Sequence, residues 1–315
     1  MTRLLGWKAA SVMLLTTGTL CAGGLVAQTA PDSLTPRAPP VMLRLNVPAY
    51  RVDVLESGLL TASYAVAVGE RRYKTPLGSF QITHITWNPW WNPPTSDWAR
   101  GEPITPPGEK NPMGPAKLHF GTLYFLHGTP FESSIGKAAS HGCVRMRDAD
   151  VRTLARTLNR LAGGGVPEDT LDVIESNTTR TLKVALRAPV PLEIAYVTVE
   201  LVDARLYLHR DVYGLGRPTE DAALAVLAAA GYGVDLVRRD VLARLVRGAR
   251  TRSASVAIDS LIPAEAIAAA RGGATPALAS EPARPARGGE AWGTSPDQSR
   301  SEAPPAATSS CSSAS

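Results

Sequence analysis

Cysteine is scarce in this chain, with three residues among 315, and each lies in a different kind of sequence. Cys21 follows an apolar N-terminal stretch, Cys311 lies in a tail rich in Ser, Pro and Ala, and Cys143 lies between a glycine and a valine. A disulfide-stapled scaffold requires more cysteines than this. The sequence has no zinc-like Cys/His spacing and no phosphate-binding glycine loop, so we expect neither a metal nor a cofactor. Cys143 is therefore best interpreted as a reactive thiol.

Long hydrophobic runs are also absent. The segment Ala9–Leu20 is mostly apolar and follows Arg3 and Lys8, but it is too short to span a bilayer comfortably. This arrangement predicts that residues 1–27 are an export signal peptide or an uncleaved N-terminal anchor, with no further membrane span. A lipoprotein signal at Cys21 is disfavoured, because a leucine precedes it where a small residue is expected.

Charge is close to balanced: 33 Lys and Arg against 28 Asp and Glu give a net charge of +5. Such an excess suits an anionic cell envelope, although ordinary solvated faces would account for it as well. We expect no nucleic-acid partner.

The residues that carry chemistry cluster in two short segments. His141, Gly142 and Cys143 form one, and His127 with Gly128 forms the other. A thiol attacks as its thiolate, which a nearby imidazole or aimed backbone N–H groups favour. Gly142 lets a substrate approach the backbone and leaves neighbouring N–H groups free to face an oxyanion. The pattern predicts a cysteine acyl-transfer enzyme; the alternative is a buried cysteine beside two structural histidines.

These segments and their flanks resemble the L,D-transpeptidase catalytic domain, the YkuD-like family. Arginine at position 145, where some members have asparagine, is familiar in the Gram-negative branch. The resemblance runs from about Val41 to Leu186. Its motifs are Leu45–Arg51, Val66–Gly69, Thr75–Phe80, Asn88–Pro94, Asn111–Pro115, His127–Thr129 and Ser140–Met146.

The resemblance implies a two-step acyl transfer through the Cys143 thiol. His127 is the expected acid/base, with its second ring nitrogen oriented by the backbone carbonyl of Gly128 in place of an aspartate. The N–H groups of Gly142 and Cys143 are the expected oxyanion donors. His141 is expected to hold substrate or tune the thiol.

Two flanking residues have open roles. Ser140 could hydrogen-bond the turn or the substrate. Arg145 could pair with a carboxylate of the donor or form a salt bridge inside the domain.

By the same resemblance, the donor is a peptidoglycan stem peptide in the periplasm, attacked at the L-centre of meso-diaminopimelic acid with release of D-alanine. The acceptor stays open: the side-chain amine of a second stem, a lipoprotein lysine, a free D-amino acid or water. A cysteine hydrolase of envelope peptides and a non-catalytic peptidoglycan-binding protein are the alternative functions.

Composition and periodicity divide the chain further. We predict a mainly β fold with α: a YkuD-like β-sandwich of mixed sheets, a helix following the catalytic cysteine, and a C-terminal helical extension. The Pro-, Asn- and Trp-rich loop 87–115 either packs on itself or forms a lid over the substrate. The predicted segments are a linker at 28–40, the catalytic domain at 41–187, a β-hairpin packed on it at 188–214, the helical extension at 215–271 and a disordered tail at 272–315.

Overall fold

The structure, a computed structural model, describes residues 39–263. The predicted signal segment, most of the linker and the predicted tail lie outside the described residues. The strands are β1 (Val41–Asn46), β2 (Arg51–Glu56), β3 (Leu59–Gly69), β4 (Gly78–Trp87), β5 (Ala116–His119), β6 (Phe125–His127), β7 (Ala138–Ser140), β8 (Val144–Met146), β9 (Leu182–Ala195), β10 (Val199–Val202), β11 (Arg205–Leu208) and β12 (Ala254–Ala257). The α-helices are α1 (Asp148–Leu161), α2 (Glu168–Ser176), α3 (Glu220–Ala229), α4 (Arg239–Gly248) and α5 (Ile258–Leu261).

Nine strands form one mixed sheet in the order β2-β1-β9-β4-β5-β6-β8-β3-β7. The long strand β3 pairs with β2 along its first half and with β8 and β7 near its end, so the sheet folds back on itself. Apolar side chains from most of these strands and from α1 form one buried core. The predicted mainly β fold with helices is confirmed. The expected sandwich of mixed sheets is not confirmed; because β2 also pairs with β3, the strands of the main sheet form a closed series.

The turn between β2 and β3 shows how local sequence sets this topology. Ser57 and Gly58 connect the two strands, and both have positive φ, 50° and 85°. Two-residue loops with positive φ at both positions match the twist of antiparallel strands and close tight hairpins. This turn closes the β2–β3 hairpin, and the end of β3 then pairs with β7 and β8.

Helix α1 begins directly after β8 and buries Val151, Leu154 and Leu158 against the sheet. It packs on β5, β6 and β9. Asp148 is the first helical residue, and Arg147 at the N-cap position makes no side-chain capping hydrogen bond. The Asp148 carboxylate instead accepts a hydrogen bond from the Thr129 N–H at 2.8 Å. The helix start is thus tied to the segment that carries the upstream histidine.

A smaller layer follows β9. Strands β10, β11 and β12 form an antiparallel sheet, and residues of α3, α4 and α5 pack with it around a second apolar core. The segment predicted as a helical extension therefore also contains a strand, which pairs with β11. The hairpin predicted at 188–214 starts inside β9, a strand of the main sheet. None of the helices described between residues 39 and 263 is long and apolar enough to cross a membrane.

Candidate active site

Strand register brings the two predicted segments together. Strand β6 runs parallel to β8, with His127 opposite Arg145 and Leu126 opposite Val144. Side chains alternate between the faces of a strand, so Leu126 and Val144 are buried in the core while their neighbours project to the other face. Cys143 immediately precedes β8 and continues this alternation. His127, Cys143 and Arg145 therefore lie on one face of the sheet.

His127 is buried, and its ring is oriented by a hydrogen bond to the backbone. Its Nδ1 lies 2.6 Å from the Gly128 carbonyl oxygen, the contact that the resemblance implied. A carbonyl can only accept, so Nδ1 carries the proton and Nε2 is free to act as a base. Gly128 packs so closely on the Asp148 carboxylate and on the Pro115 ring that a Cβ would collide with both, at 2.4 Å and 2.6 Å. Only glycine fits this position.

The turn that carries the thiol is built around Gly142. Its φ of 110° lies in the region that favours glycine, and a Cβ there would lie 3.0 Å from the ring of Tyr124. The Ser140 hydroxyl donates to the Cys143 carbonyl and accepts from the Gly142 N–H at 3.2 Å. Of the two roles we left open for Ser140, the structure shows the contact with the turn.

This hydrogen bond alters the expectation for the oxyanion donors. In this conformation the Gly142 N–H is bonded to Ser140 and is not free to face an oxyanion. The spacing of the motif could not reveal this, because the competing acceptor is a side chain that folds back by two residues. Within residues 39–263 the Cys143 N–H has no acceptor.

The thiol and the imidazole are both driven toward their neutral forms. Burial raises the pKa of the Cys143 thiol to about 11, although the Phe125 N–H, Arg145 and Lys117 act to lower that pKa. Burial lowers the pKa of His127 to about 4, against the hydrogen bond to Gly128. The Sγ atom lies 3.5 Å from the Leu123 carbonyl oxygen. We expected the surroundings to favour a resting thiolate; these pKa shifts instead favour a neutral thiol and a neutral imidazole.

His141 is exposed on the outer side of the turn, and two aromatic rings contact its imidazole. Trp98 stacks on it with ring centroids 4.0 Å apart and an interplanar angle of 4°, and Tyr73 tilts against it at 4.9 Å. The loop that carries Trp98 is organised by Asn111, whose side-chain amide donates to three carbonyls within the loop. The loop is thus ordered by its own contacts and also reaches the catalytic turn.

Two cations share the face with Cys143. Arg145 is half-buried, and among the residues described no carboxylate lies within salt-bridge distance of it, so the internal salt bridge we considered is not formed. Lys117 lies opposite His127 in β5, with Nζ 4.9 Å from the Phe125 ring centroid. Burial and Lys183 lower the pKa of Lys117, while Cys143 raises that pKa. The sequence analysis missed Lys117, which the register of β5 against β6 brings to this face.

His119 gives a stability prediction, because burial and then Lys117 lower its pKa to about 3. In the unfolded chain a histidine titrates near 6.5, so between about pH 6.5 and 3 the unfolded state binds more protons than the folded state. We expect the free energy of unfolding to fall with decreasing pH there, by up to about 1.4 kcal/mol per pH unit for each such histidine. Urea titrations across this range test it. His119→Gln, which can keep the contact with Thr86, should flatten the dependence; parallel curves for both proteins would contradict the assignment.

The fold and the geometry define a class: a mixed β domain that presents a thiol and an oriented imidazole on one sheet face. The family model of the YkuD L,D-transpeptidase catalytic domain matches residues 40–184. Over that range the chain is similar to the L,D-transpeptidase catalytic domain family.

Individual relatives agree with this similarity. "Probable L,D-transpeptidase YbiS" of Escherichia coli K12 is 43% identical over 97 residues, which cover 28% of this chain and 32% of the relative. "Probable L,D-transpeptidase ErfK/SrfK" of the same strain is 32% identical over 112 residues, covering 35% and 33%. These relatives support the Gram-negative branch, and each match spans about a third of the relative's length. The solved "L,D-transpeptidase from Mycobacterium smegmatis" has a TM-score of 0.33 and 13% identity, covering 50% of this chain and 58% of that one.

Proposed function

We propose that this protein is a peptidoglycan L,D-transpeptidase in which Cys143 is the nucleophile and His127 is the acid/base. One observation carries the proposal. The adjacent parallel strands β6 and β8 present His127 and Cys143 on one face, and the Gly128 carbonyl fixes the His127 tautomer that leaves Nε2 free. A nucleophile with an oriented base at its side is the arrangement that acyl transfer requires.

The two neutral groups suggest how the first step runs. As Sγ of Cys143 attacks the donor carbonyl, Nε2 of His127 removes the thiol proton, and negative charge forms on the carbonyl oxygen. The tetrahedral adduct collapses, the C–N bond breaks, and the imidazolium gives its proton to the departing D-alanine amine. A low pKa for His127 makes this imidazolium a strong acid, which suits protonation of a poor leaving group.

The second step returns the enzyme to its starting state. An acceptor amine attacks the thioester, His127 removes its proton, the C–S bond breaks, and the proton returns to the sulfur. In both steps the Cys143 N–H is the donor available to the oxyanion. The Gly142 N–H joins it if the bond to Ser140 opens.

The donor peptide carries carboxylates, and the site offers cations to bind them. Arg145 lacks a carboxylate partner among the described residues and lies beside the thiol. Guanidinium groups bind carboxylates in a bidentate manner, so Arg145 is our choice for donor recognition. Lys117 adds a second positive charge on the same face. His141 and Trp98 form a stacked pair at the edge of the turn where part of the donor would lie.

Export to the periplasm is part of the proposal, because peptidoglycan lies outside the cytoplasmic membrane. It rests on the charged, apolar N-terminal segment, acting as a signal peptide or an anchor. A stem amine, a lipoprotein lysine and a D-amino acid are the candidate acceptors.

Incubation of the protein with a disaccharide-tetrapeptide, followed by mass spectrometry of the products, tests the function. Cross-linked dimers, or exchange of the terminal residue when a D-amino acid is added, are expected. Release of D-alanine without a transferred product would indicate the hydrolase alternative. An unchanged substrate, bound but not consumed, would indicate the binding protein.

A carbapenem should form a covalent adduct with Cys143, because its strained lactam offers a carbonyl to the same thiol. Intact mass should rise by one adduct in the wild type and in Cys311→Ala, but not in Cys143→Ala. Because Cys311 is the alternative thiol of a mature chain, these two variants locate the adduct. An adduct lost with Cys311 instead would count against an activated Cys143.

A further inference from the structure

A tyrosine from beyond the family-matched range reaches the interior of the catalytic domain. Tyr213 follows β11 and is 2% exposed. Its hydroxyl donates to the Gly69 carbonyl at 2.9 Å and accepts from the Thr75 N–H at 3.0 Å. Gly69 ends β3 and pairs with Ser140 of β7, so this contact lies directly behind the catalytic turn.

Thr75 extends the contact to the turn itself. Its hydroxyl accepts from the Gly69 N–H at 2.8 Å and donates to the Gly142 carbonyl at 3.0 Å. Tyr213 therefore fixes Thr75 through the backbone, and Thr75 fixes Gly142 through its side chain. We call Tyr213, Gly69, Thr75 and Gly142 the turn network. Its side-chain hydroxyls both donate and accept, so neither is left unsatisfied in a buried place.

The turn network ends at the Gly142 carbonyl oxygen, whose direction affects the proposed oxyanion donor. The Gly142 carbonyl belongs to the same peptide unit as the Cys143 N–H. Because a peptide unit is planar and trans, fixing the direction of its oxygen fixes the opposite direction of its N–H. A hydrogen bond to that oxygen also polarises the unit and strengthens the N–H as a donor. The network thus sets both the aim and the strength of the proposed oxyanion donor.

The position of Tyr213 is itself fixed by its own segment. The Tyr213 N–H donates to the Tyr196 hydroxyl at 2.7 Å, and the two rings stack with centroids 5.6 Å apart. The Tyr196 hydroxyl donates to Asp211, whose carboxylate also accepts from the Gly214 and Leu215 N–H groups. These hydrogen bonds hold the segment that follows β11, so that the Tyr213 hydroxyl lies between Gly69 and Thr75.

We propose that Tyr213 is a positioning residue of the transpeptidase site, acting through Thr75 and Gly142 to aim the Cys143 N–H at the oxyanion. The inference rests on the proposed function. It gives the segment after β9 a part in catalysis, although the family match ends at residue 184.

The experiment compares two reactions of the same thiol. Acylation by a carbapenem or a tetrapeptide forms an oxyanion, whereas alkylation by iodoacetamide does not. Loss of one full oxyanion donor typically costs about 100- to 1,000-fold in rate, and a misaimed donor should cost less. For Tyr213→Phe we expect about a 10- to 100-fold lower acylation rate and kcat. KM should be little changed, because the lost interaction belongs to the transition state. The alkylation rate should stay within about twofold of wild type.

Matched variants separate positioning from folding. Thr75→Val should reproduce the selective loss of acylation, and Thr75→Ser, which keeps the hydroxyl, should restore it. Tyr207→Phe removes a tyrosine hydroxyl from β11 outside the turn network and should behave as wild type. Thermal unfolding of every variant shows whether the fold is retained.

Three results would overturn the inference: acylation in Tyr213→Phe equal to wild type, equal losses of acylation and alkylation, or failure of Thr75→Ser to restore acylation. Failure of the proposed function gives a different signature. In that case the wild type forms no product from the tetrapeptide. The carbapenem acylation rates of the wild type and the variants can still be compared, and this comparison still tests the turn network.

Discussion

Replacing Cys143 with alanine should abolish acyl transfer, lowering the rate by ~10⁴-fold or more, while leaving the fold intact. No other described residue can form the thioester, since Cys143 is the one cysteine between residues 39 and 263. The loss in stability should be small, because the Cys143 side chain is half-buried and its Sγ donates only one long hydrogen bond, to the Leu123 carbonyl. Removing a catalytic nucleophile typically costs this much or more.

Product analysis with the tetrapeptide and thermal unfolding measure the two parts of this prediction. Cys143→Ser serves as the matched control, because it keeps the shape of the side chain and substitutes a much weaker nucleophile. It should unfold like wild type and transfer at a rate near that of the alanine variant. Transfer by Cys143→Ala at a rate similar to wild type would show that the enzyme does not use this thiol.

The local parts of the fold were predictable from sequence because their causes are local. The β2–β3 hairpin follows from a two-residue turn, and α1 follows from the apolar spacing of Val151, Leu154 and Leu158. The third strand of the small sheet was not predicted. Residues 254–257 form a short strand whose partner lies about fifty positions earlier, and no local pattern records such a pairing.

In the site, too, the locally encoded features were predictable and the features that depend on distant residues were not. The pairing of His127 with Gly128 and the glycine at position 142 could be recognised from the sequence. Lys117, Trp98 and Tyr213 could not, because they reach the site from different parts of the chain through strand register and loop packing. The protonation of the thiol was also beyond sequence reasoning. A motif shows which groups are neighbours, but burial decides which of their charged forms is stable.

A neutral thiol and a neutral imidazole make the role of His127 easy to measure. If His127 is the base, wild-type reactivity should rise as this residue loses its proton, near the low pKa of about 4. It should rise again only when the pH approaches the thiol pKa of about 11. Between these values the rate should be nearly constant, because the base is present and the thiol is still protonated.

The two histidines should therefore differ sharply in iodoacetamide alkylation measured against pH. General acid–base catalysis is worth about 100- to 10,000-fold, so His127→Ala should lose rate on that scale near neutral pH and keep only the rise near the thiol pKa. His141 is exposed, stacks on Trp98 and lies on the outer side of the turn. His141→Ala should weaken tetrapeptide binding, raising KM, while alkylation stays close to wild type. Trp98→Ala is its control and should show the same pattern, since the ring pair would be broken from the other side. Loss of the low-pH reactivity in His141→Ala but not in His127→Ala would reverse the two roles.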